Sequence, residues 1–486
     1  MRSLDGAEFA AEFAARGEGA ADAEGGSVDK DEMGEFVGAG GVGMSGIAEI
    51  LIQATPLEIS GCDLARSDVT ARLERLGAKI AVGHDPSHVE NADLVVISSA
   101  VGESNAEVAA ARAKGIPVIR RAEMLGEIMR LKQGVGVAGT HGKTTTTSLT
   151  GMVLTEAGFD PTIVVGGQVH ILGTNARLGK GDYLVAEADE YDRSFLELTP
   201  VVAVITNIEA DHLDTYRDLD DIHDAFAAFA NRVPFFGAVV ACADDPGVRQ
   251  ILPRIKRRVV TYGESPDAHI AARSVRLEAN ATTFDVWDAE QGRLGAVRLR
   301  LPGRHNVLNA LAAVAAGREL LIPFETIARA LAAFTGVVRR FELKGERDGV
   351  LVVDDYAHHP TEIRATLSAA RQVYPGRRLV ALFQPHLFSR TRDFTEEFGK
   401  ALAAADVNVV LDVYPSREKP IPGVTGELVA EATRRAGHTR VIYTHEKKRV
   451  VGTLEQTLAP GDLLLTMGAG DVVKFGEEYL KRGQRG

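Results

Sequence analysis

Two runs of residues in this sequence are suited to chemistry with phosphate and carboxylate groups. The first, GTHGKTTTT at 139–147, lies between an apolar run and a helical stretch carrying Leu149 and Val153. A glycine-rich strand-to-helix turn turns backbone NH groups toward phosphate. Its lysine supplies an ammonium for the β and γ phosphates, and the threonine after it a hydroxyl for Mg2+. Gly139, Thr140, His141, Gly142, Lys143, Thr144 and Thr145 are therefore expected to hold ATP. The usual spacing asks for glycine at position 137, where Val137 stands, so this loop is a shortened variant that opens at Gly139.

The second run is acidic. AEADEYDRSF gathers Glu187, Asp189, Glu190 and Asp192 within six positions, and TNIEADHLDTY adds Asp211, His212 and Asp214. Carboxylates are costly to crowd without a cation, and ligands of α/β proteins collect at strand ends. At least one of the first group, with His212, is expected to face metal. Either cluster alone would more often be a solvated loop; following a phosphate loop, both point to a metal–nucleotide site.

A further glycine run, GAGGVGMSG at 38–46, also follows an apolar strand. Gly38, Gly40 and Gly43 fit GxGxxG, and Asp63 lies further along the chain. By itself this is a weak signal, compatible with a pyrophosphate ligand, a nicotinamide dinucleotide or a turn without ligand. Nearer the C-terminus, DDYAHHPTE and FQPHLFSRT bring His358, His359, His386, Arg390 and Arg392 into loops where guanidinium and imidazole groups can grip an anion. Zinc is the competing reading for these histidines. No HExxH spacing or nearby cysteine supports it.

Positioning these groups requires a repeated strand–helix alternation, which begins three times. The expected fold is α/β with three domains: a Rossmann-like unit over 34–133, a central P-loop ATPase unit over 134–336 and a C-terminal Rossmann-like unit over 337–486. The length of 486 residues suits about three domains. Residues 1–33 read as an acidic leader. Met1 to Glu35 hold ten acidic and three basic residues, or −7 of the net −12, and beyond a short helix through Phe9 and Phe13 the leader is expected to be disordered.

Composition, with 45% hydrophobic and 25% charged residues, is that of a soluble globular protein. The net charge argues against a nucleic-acid partner. The chain shows no signal peptide and no apolar run of membrane-spanning length, which predicts a cytoplasmic protein without stable membrane insertion. Cys62 and Cys242 are too few for a disulfide framework and are expected to be reduced thiols.

Taken together, GAGGVGMSGIAE, GTHGKTTTT, EADEYDRSF, NIEADHLDTY, GRHNVLNALA, RRFELKGE, DDYAHHPTEI, FQPHLFSRTRD and TMGAGDV resemble the Mur ligases over nearly the whole chain from Gly34. Within that family the details are similar to the members that add L-alanine. The resemblance implies amide formation between L-alanine and the lactyl carboxylate of UDP-N-acetylmuramic acid, driven by ATP and Mg2+ through an acyl phosphate. It implies Thr144 and Glu187 on one Mg2+, Glu187 and His212 on another, and His305 and Asn306 on the adenine nucleotide. Lys143 and His358 would join Glu187 and His212 in catalysis. Gly38, Gly40, Gly41, Gly43, Met44, Asp63, Arg340, Tyr356, His358, His386 and Arg390 would contact the other substrates.

Two features bear on the choice of acceptor. The stretch from Asp211 to Phe236 lacks the lysine that later-acting members carry, and Leu387 stands where many alanine-adding members have arginine. A ligase recycling murein tripeptide, or a nucleotide-binding protein without ligase activity, are the alternatives.

Overall fold

The computed structural model describes residues 33–98, 100–169, 174–278, 281–416 and 418–482. The expected leader helix lies outside them. The first sheet contains β1 (Met33–Val37), β2 (Glu58–Asp63), β3 (Lys79–Val82), β4 (Leu94–Ile97) and β5 (Val118–Arg120), all parallel in the order β3-β2-β1-β4-β5.

The middle sheet is larger. Its parallel centre is β6 (Gln133–Ala138), β9 (Tyr183–Glu187), β10 (Val202–Ile205), β11 (Ala238–Cys242) and β12 (Val259–Gly263). One flank is the hairpin of β7 (Thr162–Val169) and β8 (Thr174–Arg177). The other is the antiparallel run β13 (Ile270–Leu277), β14 (Thr282–Asp288) and β15 (Gly292–Leu299). The strand order is β15-β14-β13-β12-β11-β10-β6-β9-β7-β8. The central strands are largely apolar, β10 and β11 being buried along their whole length, as expected of strands covered on both faces.

The third sheet comprises β16 (Glu342–Arg347), β17 (Val350–Asp355), β18 (Arg378–Phe383), β19 (Val407–Leu411), β20 (Val441–Thr444) and β21 (Asp462–Met467), ordered β16-β17-β21-β18-β19-β20. Only β16 runs antiparallel to its neighbour. Among the described residues no helix is long and apolar enough to cross a membrane.

The helix Val42–Ala54 opens at the first glycine run, packs on its own sheet and also lies against β7 and β8 of the middle one. Gly46 makes this seam close: a Cβ there would sit 2.9 Å from the Asn175 amide and 3.0 Å from Ala176. Strands β6, β9 and β10 end side by side, so the loops after Ala138, Glu187 and Ile205 converge.

Candidate active site

The loop after β6 bends through Gly139 at φ 142° and Gly142 at φ 82° into the helix Lys143–Glu156. No side chain caps that helix, which leaves its first amides directed at an incoming anion. A Cβ at Gly139 would collide with the Thr206 hydroxyl, and one at Gly142 would lie 2.5 Å from Asn309 Oδ1, so both positions need glycine.

Lys143 Nζ donates to Gly139 O at 2.8 Å and to both Glu190 oxygens at 2.7 and 2.9 Å. Burial opposes its charge, but Glu190 and Asp189 outweigh that and hold the ammonium firmly protonated. Of the four carboxylates in the acidic run, Glu190 is therefore the lysine's anchor. Its sequence neighbours gave no sign of which one that would be.

Glu187 ends β9. Its Oε1 accepts from Gly166 N at 2.7 Å, and the Thr144 hydroxyl lies beside it. Burial raises both Glu187 and Glu190 above the usual carboxylate range. Asp189 is pulled below it, against its own burial, by Lys143 and His212. His212, at φ 52°, sits with Nε2 3.9 Å from Glu190 and shares a cleft with Glu187 and Asp189. The partly exposed carboxylates of Glu187 and Asp189, the Thr144 hydroxyl and the His212 imidazole, next to a phosphate loop, make a donor set that fits Mg2+.

A second cavity runs from His141, Gly142, Thr144 and Thr145 to His305 and Asn306. Asn309 completes that wall. It donates to Asn306 Oδ1 at 3.0 Å and accepts from Thr146 at 3.2 Å. Its spacing of three from Asn306, on the same helix face, was the available signal. Burial, then Arg340, lowers the pKa of His305 to about 4, so it is neutral. Arg340, expected on the amino-acid or sugar side, instead lines this cavity with Asp355 and Glu362. Its guanidinium lies 3.8 Å from Glu362 and over the Tyr356 ring.

The seam between the middle and third units is ionic. His141 has Nδ1 3.3 Å from Glu362 and Nε2 3.6 Å from Glu209, and its ring meets His359 at 4.7 Å. Burial alone would depress His141, but the two glutamates raise it to about 9. Thr361 donates to Glu209 at 2.7 Å across the same seam.

Arg390 was expected to hold an anionic substrate. Its guanidinium pairs with Asp211, with contacts of 2.9, 3.0 and 3.1 Å, and Arg390 also lines the cleft that holds Glu187 and His212. The reason is burial: at 6% exposure a guanidinium needs an internal carboxylate. Tyr356, His358, His386 and Leu387 line the cleft that holds Glu187 and His212. His358 Nδ1 lies 2.9 Å from Tyr356 O, a contact in which it donates, which leaves Nε2 as acceptor. Burial lowers its pKa to about 4. The backbone of Leu387 takes φ 68° and its side chain is buried.

In the first unit the loop is fastened from below. Gly38 N and Ala39 N donate to Cys62 O, both at 2.9 Å, and Gly40 N donates to Asp63 Oδ2 at 2.9 Å. Asp63 thus braces the loop. Gly41 is exposed beside it, and Gly43 lies against Arg121 at the edge of the shared cleft. Met44, expected to contact substrate, has a side chain 1% exposed within the core, so only its backbone faces the loop.

Three Mur family models match successive parts of the chain: the catalytic-domain model of the Mur ligase family at residues 35–133, the Mur ligase middle domain at 137–317 and the Mur ligase glutamate ligase domain at 339–470. The UDP-N-acetylmuramate–L-alanine ligase of Geobacter sp. (strain M21) is 53% identical over 93% of this chain and 98% of its own length. The protein of that name from Salinibacter ruber is 54% identical over 92% and 94%. The crystal structure of UDP-N-acetylmuramate-alanine ligase from Thermotoga maritima superposes with a TM-score of 0.78 at 29% identity, covering 93% of this chain and 99% of that one. The expected three-part α/β architecture is thereby borne out, and the chain belongs to the Mur ligase family.

Proposed function

We propose that this protein joins L-alanine to the lactyl carboxylate of UDP-N-acetylmuramic acid, consuming ATP, in the cytoplasmic assembly of peptidoglycan precursors. The observation that carries this reading is the cleft in which Glu187, Asp189 and His212 of the middle unit meet Gly43 of the first and His358 of the third, with Thr144 beside Glu187 and Lys143 Nζ 3.7 Å from Asp189 behind that acidic wall. Relatives more than 50% identical over nearly their full length, named for this activity, support the choice of substrates. In this reading residues 34–133 take the UDP-sugar, 134–336 ATP, and 337–486 the amino acid.

The muramate carboxylate attacks the γ-phosphate, giving an acyl phosphate and ADP; the amine of L-alanine then attacks the acyl carbon and phosphate departs. Lys143, fixed by Glu190, faces the transferring phosphoryl group and offsets its developing charge. The amides opening the helix Lys143–Glu156 orient the phosphates. Thr144 and Glu187 would hold one Mg2+ ion, and Glu187 with His212 a second, and the metal would supply positive charge against the negative charge that develops during phosphoryl transfer. Neutral His305 with Asn306 borders the nucleotide base. With a pKa of about 4, His358 is a weak base at neutral pH, so its Nε2 orients the incoming amine by accepting a hydrogen bond. Closure of the third unit on the middle one keeps water from the acyl phosphate.

The test is phosphate release from ATP and Mg2+ with UDP-N-acetylmuramic acid, comparing added L-alanine, added murein tripeptide and no acceptor. Release requiring both the UDP-sugar and L-alanine supports the reading. Release with tripeptide alone assigns a recycling ligase, and none with either acceptor refutes ligation.

A further inference from the structure

Outside the cleft, one face of the first sheet gathers a set of donors that ligation does not use. Glu35 on β1, Cys62 on β2, His88 on the short helix Pro86–Val89 and Glu107 on the helix Ala106–Ala113 each offer one ligand atom within 4.8 Å of the others. Three are almost sealed from solvent: Glu35 is 1% exposed, Cys62 and Glu107 0%. Glu107 is the hub. Its Oε1 lies 2.6 Å from His88 Nδ1, and its Oε2 lies 3.2 Å from Cys62 Sγ and 2.8 Å from His84 Nδ1.

Two buried carboxylates on one face, beside the aliphatic cluster of Val37, Val89, Val95 and Val108, form an arrangement that folding disfavours without a compensating cation. Glu35 uses one oxygen on Ser60 Oγ, while its Oε1 is buried with no partner. That unsatisfied oxygen is an observation independent of the clustering. A shallow cavity lined by Glu35, Ser60 and His88 leads in from the surface.

The geometry points to a zinc site in the first unit, with Glu35, Cys62, His88 and Glu107 as ligands. One thiolate, one imidazole and two carboxylates are a donor set for Zn2+ and not for Mg2+, which prefers oxygen alone. Bonds of about 2.0–2.3 Å require donor separations of ~3.3–3.8 Å in a tetrahedron, so the present spacings need only small side-chain adjustment. Binding displaces the Cys62 thiol proton and any proton held by Glu35 to solvent. His84 is left beside Glu107 as an outer partner. The spacing rules that argued against zinc in the sequence miss this set because its ligands come from four separate elements. The site is structural: the carbonyl of Cys62 is the acceptor for Gly38 N and Ala39 N, so a metal here would fix the floor of the first glycine loop.

The experiment titrates Co2+, then Zn2+, into chelator-treated full-length protein in excess Mg2+, following thiolate-to-cobalt charge-transfer absorption. One Co2+ per chain is expected to give that band, and one equivalent of Zn2+ to bleach it. Cys62→Ser should abolish the band and Cys242→Ser should keep it. His88→Ala, at a partly exposed position that leaves folding intact by circular dichroism, should weaken Co2+ binding at least ~10-fold. No band with the wild-type protein, a band that survives Cys62→Ser, or unchanged affinity in His88→Ala would overturn the assignment. Ligase activity does not enter these readouts.

Discussion

Arg390 of the third unit and Asp211 of the middle unit form a buried ion pair across their shared cleft, with both Asp211 oxygens engaged. The Arg390 guanidinium outweighs burial and holds the Asp211 carboxyl well below the usual range. The pair joins residues 179 positions apart, and so fixes how the two units face each other.

Removing one partner strands the other charge in a buried position. Arg390→Ala and Asp211→Ala are each expected to cost about 3–5 kcal/mol, and the double variant clearly less than the sum. Urea unfolding of the four proteins of that cycle measures the coupling; additive losses would mean that the pair carries no interaction.

Lys143→Ala should lower kcat for phosphate release by ~10²–10³-fold, the scale for one preorganised electrostatic contact. Glu190→Gln should give a smaller loss of the same kind, because it loosens the lysine without removing it. Single-turnover assays with saturating ATP separate this from weakened nucleotide binding; unaltered kcat in Glu190→Gln would assign Glu190 no positioning role.

The backbone at Gly139 predicts that Gly139→Ala cannot be accommodated. Left-handed strain there costs ~1–3 kcal/mol, before the collision with Thr206 is counted. Thermal unfolding should therefore drop together with nucleotide affinity in an equilibrium binding assay, whereas a stable, ATP-binding variant would mean that the loop is more adaptable than its dihedral angles suggest.

His141 makes the seam sensitive to alkali. Its folded pKa of about 9 lies above the ordinary 6.5, so its contribution is fully present below about pH 6.5 and disappears as pH rises through about 9. Denaturation midpoints measured from pH 6 to 9.5 should fall across that window, and the slope should flatten in Glu362→Gln. An equally steep fall in that variant would place the titrating group elsewhere.

The sequence made the main framework readable because periodicity and glycine turns are local. GTHGKTTTT and the strand-end acids stand where expected, and three α/β sheets follow in order. What escaped it were pairings between distant segments. Nothing near Arg390 in the chain announces Asp211, nothing in EADEYD singles out Glu190, and the role of Glu362 arises only when its helix meets His141. The burial of the Met44 side chain is likewise not legible in its glycine-rich motif and follows from the packing of its helix on the sheet.

The helix Val42–Ala54 touches both the first sheet and the β7–β8 hairpin, through the small contact at Gly46. Its front end carries the first glycine loop, while its flank bears on the hairpin beside β9, the strand that delivers Glu187. One continuous helix thus ties the first glycine loop by direct packing to the neighbourhood of the Glu187 carboxylate, and the spacing of these two parts of the molecule is set by that seam as well as by the cleft.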